Sequence, residues 1–168
     1  MKRKTISIII FVLILAVILA IAFFIVGDYL QQKYDYQAYQ WEEDFYGKET
    51  YAELQIECTA EDRIAVQPVL DYADEAFSYL GDVDSHELFG KLGIYSYNNY
   101  SDVVSETHGI DFLTAKLDGD SGYLWVKYFQ EGYDETGERT TGSWECKSRW
   151  SLKKINGEWF VTDVLEHP

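Results

Sequence analysis

The chain opens on its longest apolar pattern. The 21 residues from Ile6 to Val26 contain one polar side chain, Ser7, and no charge. A helix rises about 1.5 Å per residue, so this run spans roughly 31 Å and matches a hydrocarbon core of about 30 Å. The pattern predicts a transmembrane helix over residues 6–26, which would make the lipid bilayer a partner of the chain.

The same run has a second interpretation, a cleaved signal peptide. Lys2–Lys4 form a positively charged n-region, and residues 20–22 (Ala-Ile-Ala) resemble a cleavage site. However, the apolar run continues beyond that tripeptide to Val26, whereas the apolar core of a signal peptide is about 7–15 residues long. The length of the run therefore favours a retained signal anchor.

The charges on either side of the run predict its orientation. Three basic residues precede it, and acidic residues dominate the segment that follows, with Asp28, Asp35, Glu42, Glu43 and Asp44 opposed by Lys33 alone. Positively charged flanks remain on the cytoplasmic side of a membrane. We therefore expect residues 1–5 to form a cytoplasmic stub and residues 27–168 to lie outside the cell membrane, in a single-pass arrangement.

Residues 27–57 are predicted to form an acidic, aromatic stalk. Residues 28–45 contain neither Gly nor Pro, so a helix can continue out of the membrane. The rings of this segment fit two interpretations, a partner-binding aromatic surface or a helix that folds back on its own domain, and we favour the second. The rings are Tyr29, Tyr34, Tyr36, Tyr39, Trp41, Phe45, Tyr46 and Tyr51.

Helical signals begin after the stalk. Thr59 followed by Asp62 predicts an N-cap with an acidic first turn. Apolar residues then recur at helical spacing over residues 64–80, and Pro68 is expected to kink this helix or displace its start. A shorter helix is predicted over Ser85–Leu92.

Strand signals fill the rest of the chain. The predicted strands are Asp111–Leu117, Tyr123–Gln130, Ser143–Ile155 and Trp159–Leu165. Turn-forming residues separate them, and Asn156-Gly157 is the strongest hairpin signal among these. Helices followed by antiparallel strands predict that residues 58–168 form an α+β domain, with N-terminal helices packed on one face of a sheet.

The third strand alternates most regularly. Trp144, Cys146, Ser148, Trp150 and Leu152 fall on one face, and charged residues occupy most of the other. In the last strand, Asp163 shares parity with Trp159 and would then face the same side, but we favour the alternative in which it meets solvent near the strand end. The candidate pocket or core face therefore comprises Trp144, Trp150, Trp159 and Asp163.

The closing hairpin carries a family resemblance. Residues 150–164 read Trp-Ser-Leu-Lys-Lys-Ile-Asn-Gly-Glu-Trp-Phe-Val-Thr-Asp-Val. This stretch, with the order of helices before it, resembles the nuclear transport factor 2-like (cystatin-like, SnoaL-like) domains of small exported bacterial proteins. The resemblance covers residues 59–166 and implies a cone-shaped domain with a curved antiparallel sheet, anchored to a bacterial membrane.

Charge narrows the classes of partner. Outside the first 26 residues the chain carries 11 basic and 29 acidic side chains. Phosphate contacts need clustered Lys and Arg, so this balance argues against a nucleic-acid partner and against anionic lipid headgroups. The partner we expect outside the cell is a protein or a small ligand.

Cys58 and Cys146 are the only cysteines, and both belong to the segment expected outside the cell. Disulfides persist in that compartment, and a bridge here would close a loop of roughly 90 residues and stabilise the domain by about 4–5 kcal/mol. The alternative is two unpaired thiols, with Cys146 buried as a small apolar side chain. Sequence spacing leaves both readings open.

No metal or cofactor motif is present. The acidic pairs at residues 82–84 and 118–120 lack the rest of a calcium-binding loop, and His86, His108 and His167 lack zinc-ligand spacing. Nucleophile-elbow and phosphate-binding motifs are missing too. The sequence therefore predicts a non-enzymatic binding or scaffolding domain with neither cofactor nor metal. Two alternatives stay open, an enzyme using Asp163 in the cone pocket and an assembly component of a secretion-type membrane complex.

Overall fold

The computed structural model describes residues 2–80, Leu92 and residues 102–166. It divides the chain into two compact units, Met1–Gly47 and Lys48–Pro168. The helical elements are α1 (Lys2–Tyr46), α2 (Lys48–Tyr51), a 3-10 turn (Ala52–Gln55), α3 (Ala60–Ala65) and α4 (Gln67–Ser78). The strands are β1 (Ser105–Asp118), β2 (Ser121–Tyr133), β3 (Arg139–Ile155) and β4 (Glu158–Glu166).

The first unit consists of helix α1, which runs without a break through the apolar run and most of the predicted stalk. Side-chain hydrogen bonds one turn apart join Gln31 to Asp35 and Gln32 to Asp28 on its exposed surface. Side chains of this helix are described for residues 16, 17 and 19–46. Among the residues described in this way, no helix is long and apolar enough to cross a membrane.

The helices of the second unit begin as the sequence predicts. Thr59 is the N-cap of α3, and its hydroxyl oxygen accepts a hydrogen bond from the backbone N–H of Asp62 at 3.0 Å. The predicted long helix is divided at Val66, and α4 follows with Pro68 in its first turn. Proline has no amide hydrogen to donate, so it is tolerated only at the start of a helix, and this confirms the expected displacement. The helix predicted over residues 85–92 lies outside the described residues, except for the buried Leu92.

The four strands form one antiparallel sheet in the order β1-β2-β3-β4. The hairpin predicted at Asn156-Gly157 is confirmed, because β3 pairs with β4 across it and the two residues have φ values of 53° and 92°. Positive φ at both central residues is the geometry that favours Asn-Gly. Strand β1 begins at Ser105, earlier than its apolar pattern indicates, since its first residues are largely polar.

One face of the sheet, called the inner face below, is covered by α3 and α4 and contains the main core. Trp150 is 1% exposed, and its indole N–H donates to the hydroxyl of Ser148 at 2.8 Å. The sheet residues of this core are Ala115, Leu124, Val126, Tyr128, Trp150, Leu152 and Val161, and α4 contributes Val69, Leu70, Ala73, Ala76 and Phe77. Helices packed on a curved antiparallel sheet confirm the α+β class.

Two single-residue bulges change which side chains face this core. Between Tyr128 and Gln130 of β2, strand β3 carries one extra residue, and Glu145 has a φ of 54°. The bulge reverses the alternation in β3. Trp144 therefore lies on the opposite face and is 50% exposed, so its expected place on the inner face beside Trp150 is wrong.

The second bulge lies in β4. Ser151 pairs with Asp163 and Leu152 with Val161, so Thr162 is the extra residue. Val161 is buried against the core, whereas Asp163 is exposed. The parity argument that placed Asp163 with Trp159 does not hold, because the bulge reverses the face between them. Asp163 meets solvent, as the alternative reading expected.

Candidate functional site

The second face of the sheet, called the outer face below, exposes two large rings. They lie near the C-terminal end of β2 and the N-terminal end of β3. Trp144 is 50% exposed, and Phe129 of β2 is 40% exposed. Phe129 follows Tyr128 in β2 and lies opposite the bulge that carries Trp144. Together with Glu131, Tyr133 and Arg139, these two rings are called the aromatic patch below.

The Trp144 ring is held in place on the surface. Its indole N–H donates to Glu131 Oε1 at 2.7 Å, and the Arg139 guanidinium lies 4.6 Å from the centre of the ring. A Cβ at Gly142 would come within 2.6 Å of the indole, so glycine lets the ring lie close to the backbone. Phe129 packs over Gly109 in the same way, since a Cβ at Gly109 would lie 2.5 Å from a ring carbon of Phe129.

The carboxylate of Glu131 joins the polar part of the aromatic patch. It accepts hydrogen bonds from the Tyr133 hydroxyl and the Trp144 indole, and Arg139 Nη1 donates to it at 2.9 Å. These hydrogen bonds, led by that of Tyr133, hold the pKa of Glu131 below its usual range. The carboxylate is therefore ionised at neutral pH and fixes both Trp144 and Arg139.

Residues 48–56, called the strap below, cover another part of the outer face. Glu53 accepts three hydrogen bonds from the sheet, from Arg149 Nε at 2.6 Å, Arg149 Nη2 at 2.9 Å and Trp125 Nε1 at 2.9 Å. The Tyr51 ring meets the fully buried Trp125 edge-on, with centroids 6.4 Å apart. Thr114 of β1 donates from its hydroxyl to the Ile56 carbonyl at 2.8 Å.

Tyr123 lies beside this ion pair on the outer face. The Arg149 guanidinium is 5.1 Å from the centre of the Tyr123 ring. Within the described part of the chain the Tyr123 hydroxyl is buried without a hydrogen-bond partner. Burial, followed by the nearby Glu53 carboxylate, raises the pKa of Tyr123. The hydroxyl is therefore protonated and keeps a donor that nothing in the described residues uses.

A polar cluster lies on the inner face, between α4 and β1. His108 Nδ1 is 3.0 Å from Glu106 Oε2, and His108 Nε2 is 3.1 Å from Asp74 Oδ1. Nearby, Gln130 donates to the Phe77 carbonyl at 2.9 Å and satisfies a group at the end of α4. Both ring nitrogens of His108 face carboxylates, so the ring links α4 to β1.

The other candidates from the sequence have these positions. Trp150 is buried in the core, and Trp159 packs against it while staying partly exposed. Cys58 and Cys146 are unpaired thiols, and both are partly buried. This arrangement corresponds to the second of the two alternatives that the sequence left open. Burial, followed by the nearby Glu166 carboxylate, raises the pKa of the Cys146 thiol. All four residues thus belong to the main core or pack against it.

Two open clefts lie along α3 and α4. One of about 400 Å³ is lined by Ala65, Pro68, Tyr72, Lys154, Gly157, Glu158 and Trp159. The other, of about 540 Å³, is lined by Arg63, Gln67, Leu70, Asp71, Asp74, Ile110 and Phe112. In residues 2–80, Leu92 and 102–166, no group of three His, Cys, Asp or Glu side chains has the arrangement of a metal site.

Comparison with known proteins shows the fold. No protein-family model matches the sequence, and no curated protein matches it either. The structure is similar to a protein of Novosphingobium aromaticivorans, provisionally described as an aromatic ring hydroxylase. The TM-score is 0.50 and the identity 13%, over 66% of this chain and 90% of that chain. That protein has the nuclear transport factor 2-like (SnoaL-like) fold, so the resemblance of the closing hairpin is confirmed at the level of fold.

Sequence reasoning missed the residues that organise the outer face. Glu53 and Arg149 are 96 positions apart, and neither belongs to a motif. Glu131 and Arg139 are ordinary charged residues in the sequence, and only the β2–β3 pairing brings them together with Trp144. The one available signal was Gly142 beside Trp144, since a glycine within a strand often marks a bulge or a close approach.

Proposed function

We propose that the chain is a single-pass, membrane-anchored protein whose α+β domain lies outside the cell and binds another protein through the aromatic patch. The anchor is supported by the uncharged run of residues 6–26, which carries three basic residues on its N-terminal side and acidic residues on the other. The same run lies within one continuous helix, Lys2–Tyr46. Bacterial origin belongs to the same proposal, through the resemblance of the domain.

The observation that carries the binding function is the fixed, exposed ring of Trp144. Half of its surface is open to solvent, although Glu131 and Arg139 hold it in one position. Trp, Tyr and Arg dominate the energetics of protein interfaces, and a ring ordered before binding loses little entropy when the partner arrives. Glu131, Tyr133 and Arg139 supply the polar rim around the apolar centre.

The inner face favours binding over catalysis as the role of the domain. Its sheet side is filled by Trp150, Leu152 and their neighbours. His108, the one described histidine, lies between the carboxylates of Glu106 and Asp74, and its two ring nitrogens link β1 to α4. Asp163, the residue expected for an enzymatic alternative, is exposed and pairs with Ser151 instead of facing the core.

Site-specific photo-crosslinking in intact cells tests this function. A photoreactive amino acid replaces Thr140, which is exposed on β3 close to Trp144. We expect a discrete adduct that disappears with Trp144→Ala and persists with Lys153→Ala, an exposed change at the other end of the same strand. An adduct that survives Trp144→Ala, or no adduct at all, would show that the aromatic patch is not the binding surface.

A further inference from the structure

The strap occupies the outer face in the manner of a bound peptide. In the described part of the chain the ladders join β1 to β2, β2 to β3 and β3 to β4, and none of them includes a residue of the strap. It consists of one four-residue helix and one four-residue 3-10 turn. Helices this short are not stable alone, so side-chain contacts with the sheet keep the strap in place.

These contacts recognise a particular chemistry. Arg149 and Trp125 direct three N–H donors at one carboxylate, that of Glu53. The planar guanidinium fits the two oxygens of a carboxylate in a bidentate pair, and it binds Glu53 in that way here. Two residues earlier, Tyr51 packs its buried ring against Trp125. The outer face therefore recognises a peptide segment in which an aromatic residue is followed two positions later by an acidic residue.

The strap does not use everything that this face provides. Tyr123 is more than nine-tenths buried, and its hydroxyl finds no acceptor among the described residues. A buried donor without a partner destabilises the folded state, because it has lost its hydrogen bond to water. A peptide that also presents an acceptor to Tyr123 would satisfy a group that the strap leaves unsatisfied.

We propose that the face formed by Tyr123, Trp125 and Arg149 is a binding groove for an acidic peptide segment of a partner protein, with an aromatic residue two positions before a carboxylate. The strap is the groove's own occupant and keeps it closed. A partner segment binds by displacing the strap, and the backbone ladders of the sheet remain intact during the exchange. This groove is separate from the aromatic patch and does not depend on the role proposed for Trp144.

Hydrogen exchange on the full chain in detergent micelles tests the closed state. Glu53→Gln removes the charge that Arg149 binds, so we expect the amides of residues 48–56 to exchange about tenfold faster or more. The exchange of β2 and β3 stays unchanged. The matched control is Glu49→Gln, an exposed acid of the strap that should leave both regions unaffected. Unchanged exchange in the strap, or faster exchange of strap and sheet together, would overturn the proposal.

Peptide binding tests the groove itself. The probe is a fluorescent synthetic peptide of residues 47–57, followed by anisotropy with the Glu53→Gln protein. We expect this peptide to bind at least about tenfold more tightly than the same peptide carrying Glu53→Gln. Equal binding of the two peptides, or no binding, would show that the face has no carboxylate site.

A third measurement applies even if the Glu53→Gln protein fails to fold. An excess of the unlabelled peptide is added to the wild-type chain, and strap exchange is measured again. Faster exchange of residues 48–56 alone supports displacement by a ligand. No change at saturating peptide would mean that the strap is a permanent part of the fold.

Discussion

Trp144 and Trp150 lie six positions apart on one strand. Replacing each in turn by alanine tests whether the two rings lie on opposite faces of the sheet. The perturbation is the same in both variants, the loss of an indole from β3. Trp150 is 1% exposed in the main core, whereas Trp144 is 50% exposed on the outer face. The regular alternation of the sequence places both rings inside, and the bulge at Glu145 places only Trp150 there.

The magnitude follows from burial. Truncation of a buried Trp to Ala is destabilising by about 3–5 kcal/mol, and Trp150→Ala also removes the donor that satisfies the buried Ser148 hydroxyl. Native domains are stable by about 5–15 kcal/mol, so this variant is close to unfolding. Trp144→Ala removes an exposed ring and one hydrogen bond to Glu131, for which we expect about 1 kcal/mol or less.

Urea unfolding of a soluble fragment of residues 48–168, followed by far-ultraviolet circular dichroism, measures both effects. With an m value of about 2 kcal/mol/M, Trp150→Ala should lower the midpoint by about 2 M, and Trp144→Ala by about 0.5 M or less. Equal shifts would refute the bulge and the division into inner and outer faces. A larger shift for Trp144→Ala would place that ring in the core after all.

Three further predictions concern the hairpin, the thiols and the aromatic patch. Gly157→Ala should destabilise the same fragment by about 1 kcal/mol in urea, because alanine is strained at a φ of 92° although no atom lies within reach of its Cβ. Thiol titration in denaturant without reductant should find both cysteines free, and the native protein should react slowly at Cys146 because burial raises the pKa of that thiol; a protein with no titratable thiol would contradict this. Since the pKa of folded Glu131 is lowered, its stabilising contribution is complete above the ordinary glutamate value of about 4.3 and is lost as the pH falls through the lowered value. Trp144 fluorescence, taken as the difference from Trp144→Phe, should change in that acidic range, and Glu131→Gln should remove the transition.

The parts of the fold that sequence predicted are those specified by neighbouring residues. The Thr59 cap, the helix start near Pro68 and the Asn156-Gly157 turn each depend on backbone geometry that a few adjacent residues impose. The four strands and their antiparallel order followed from alternation and short turns. These local signals were sufficient for the fold class.

The bulges and the outer face depend on pairing between distant segments. One extra residue near Trp144 and another at Thr162 reverse the exposure of every side chain beyond them, and alternation alone does not reveal an insertion of one. The pairing of Glu53 with Arg149 requires the strap to lie across the sheet. Trp144 was therefore assigned to the wrong face, the parity argument for Asp163 failed, and the strap was grouped with the stalk.

The proposed binding function depends on the location of the domain outside the cell. A single cysteine at Glu135, in the loop between β2 and β3, is introduced into a chain whose two native cysteines are replaced by serine. Intact cells, freed of their wall where necessary, are then treated with a membrane-impermeant maleimide. An anchored domain outside the cell should be labelled without lysis and remain with the membranes after a high-salt wash. Labelling that appears only after lysis would contradict the proposed orientation and the extracellular partner.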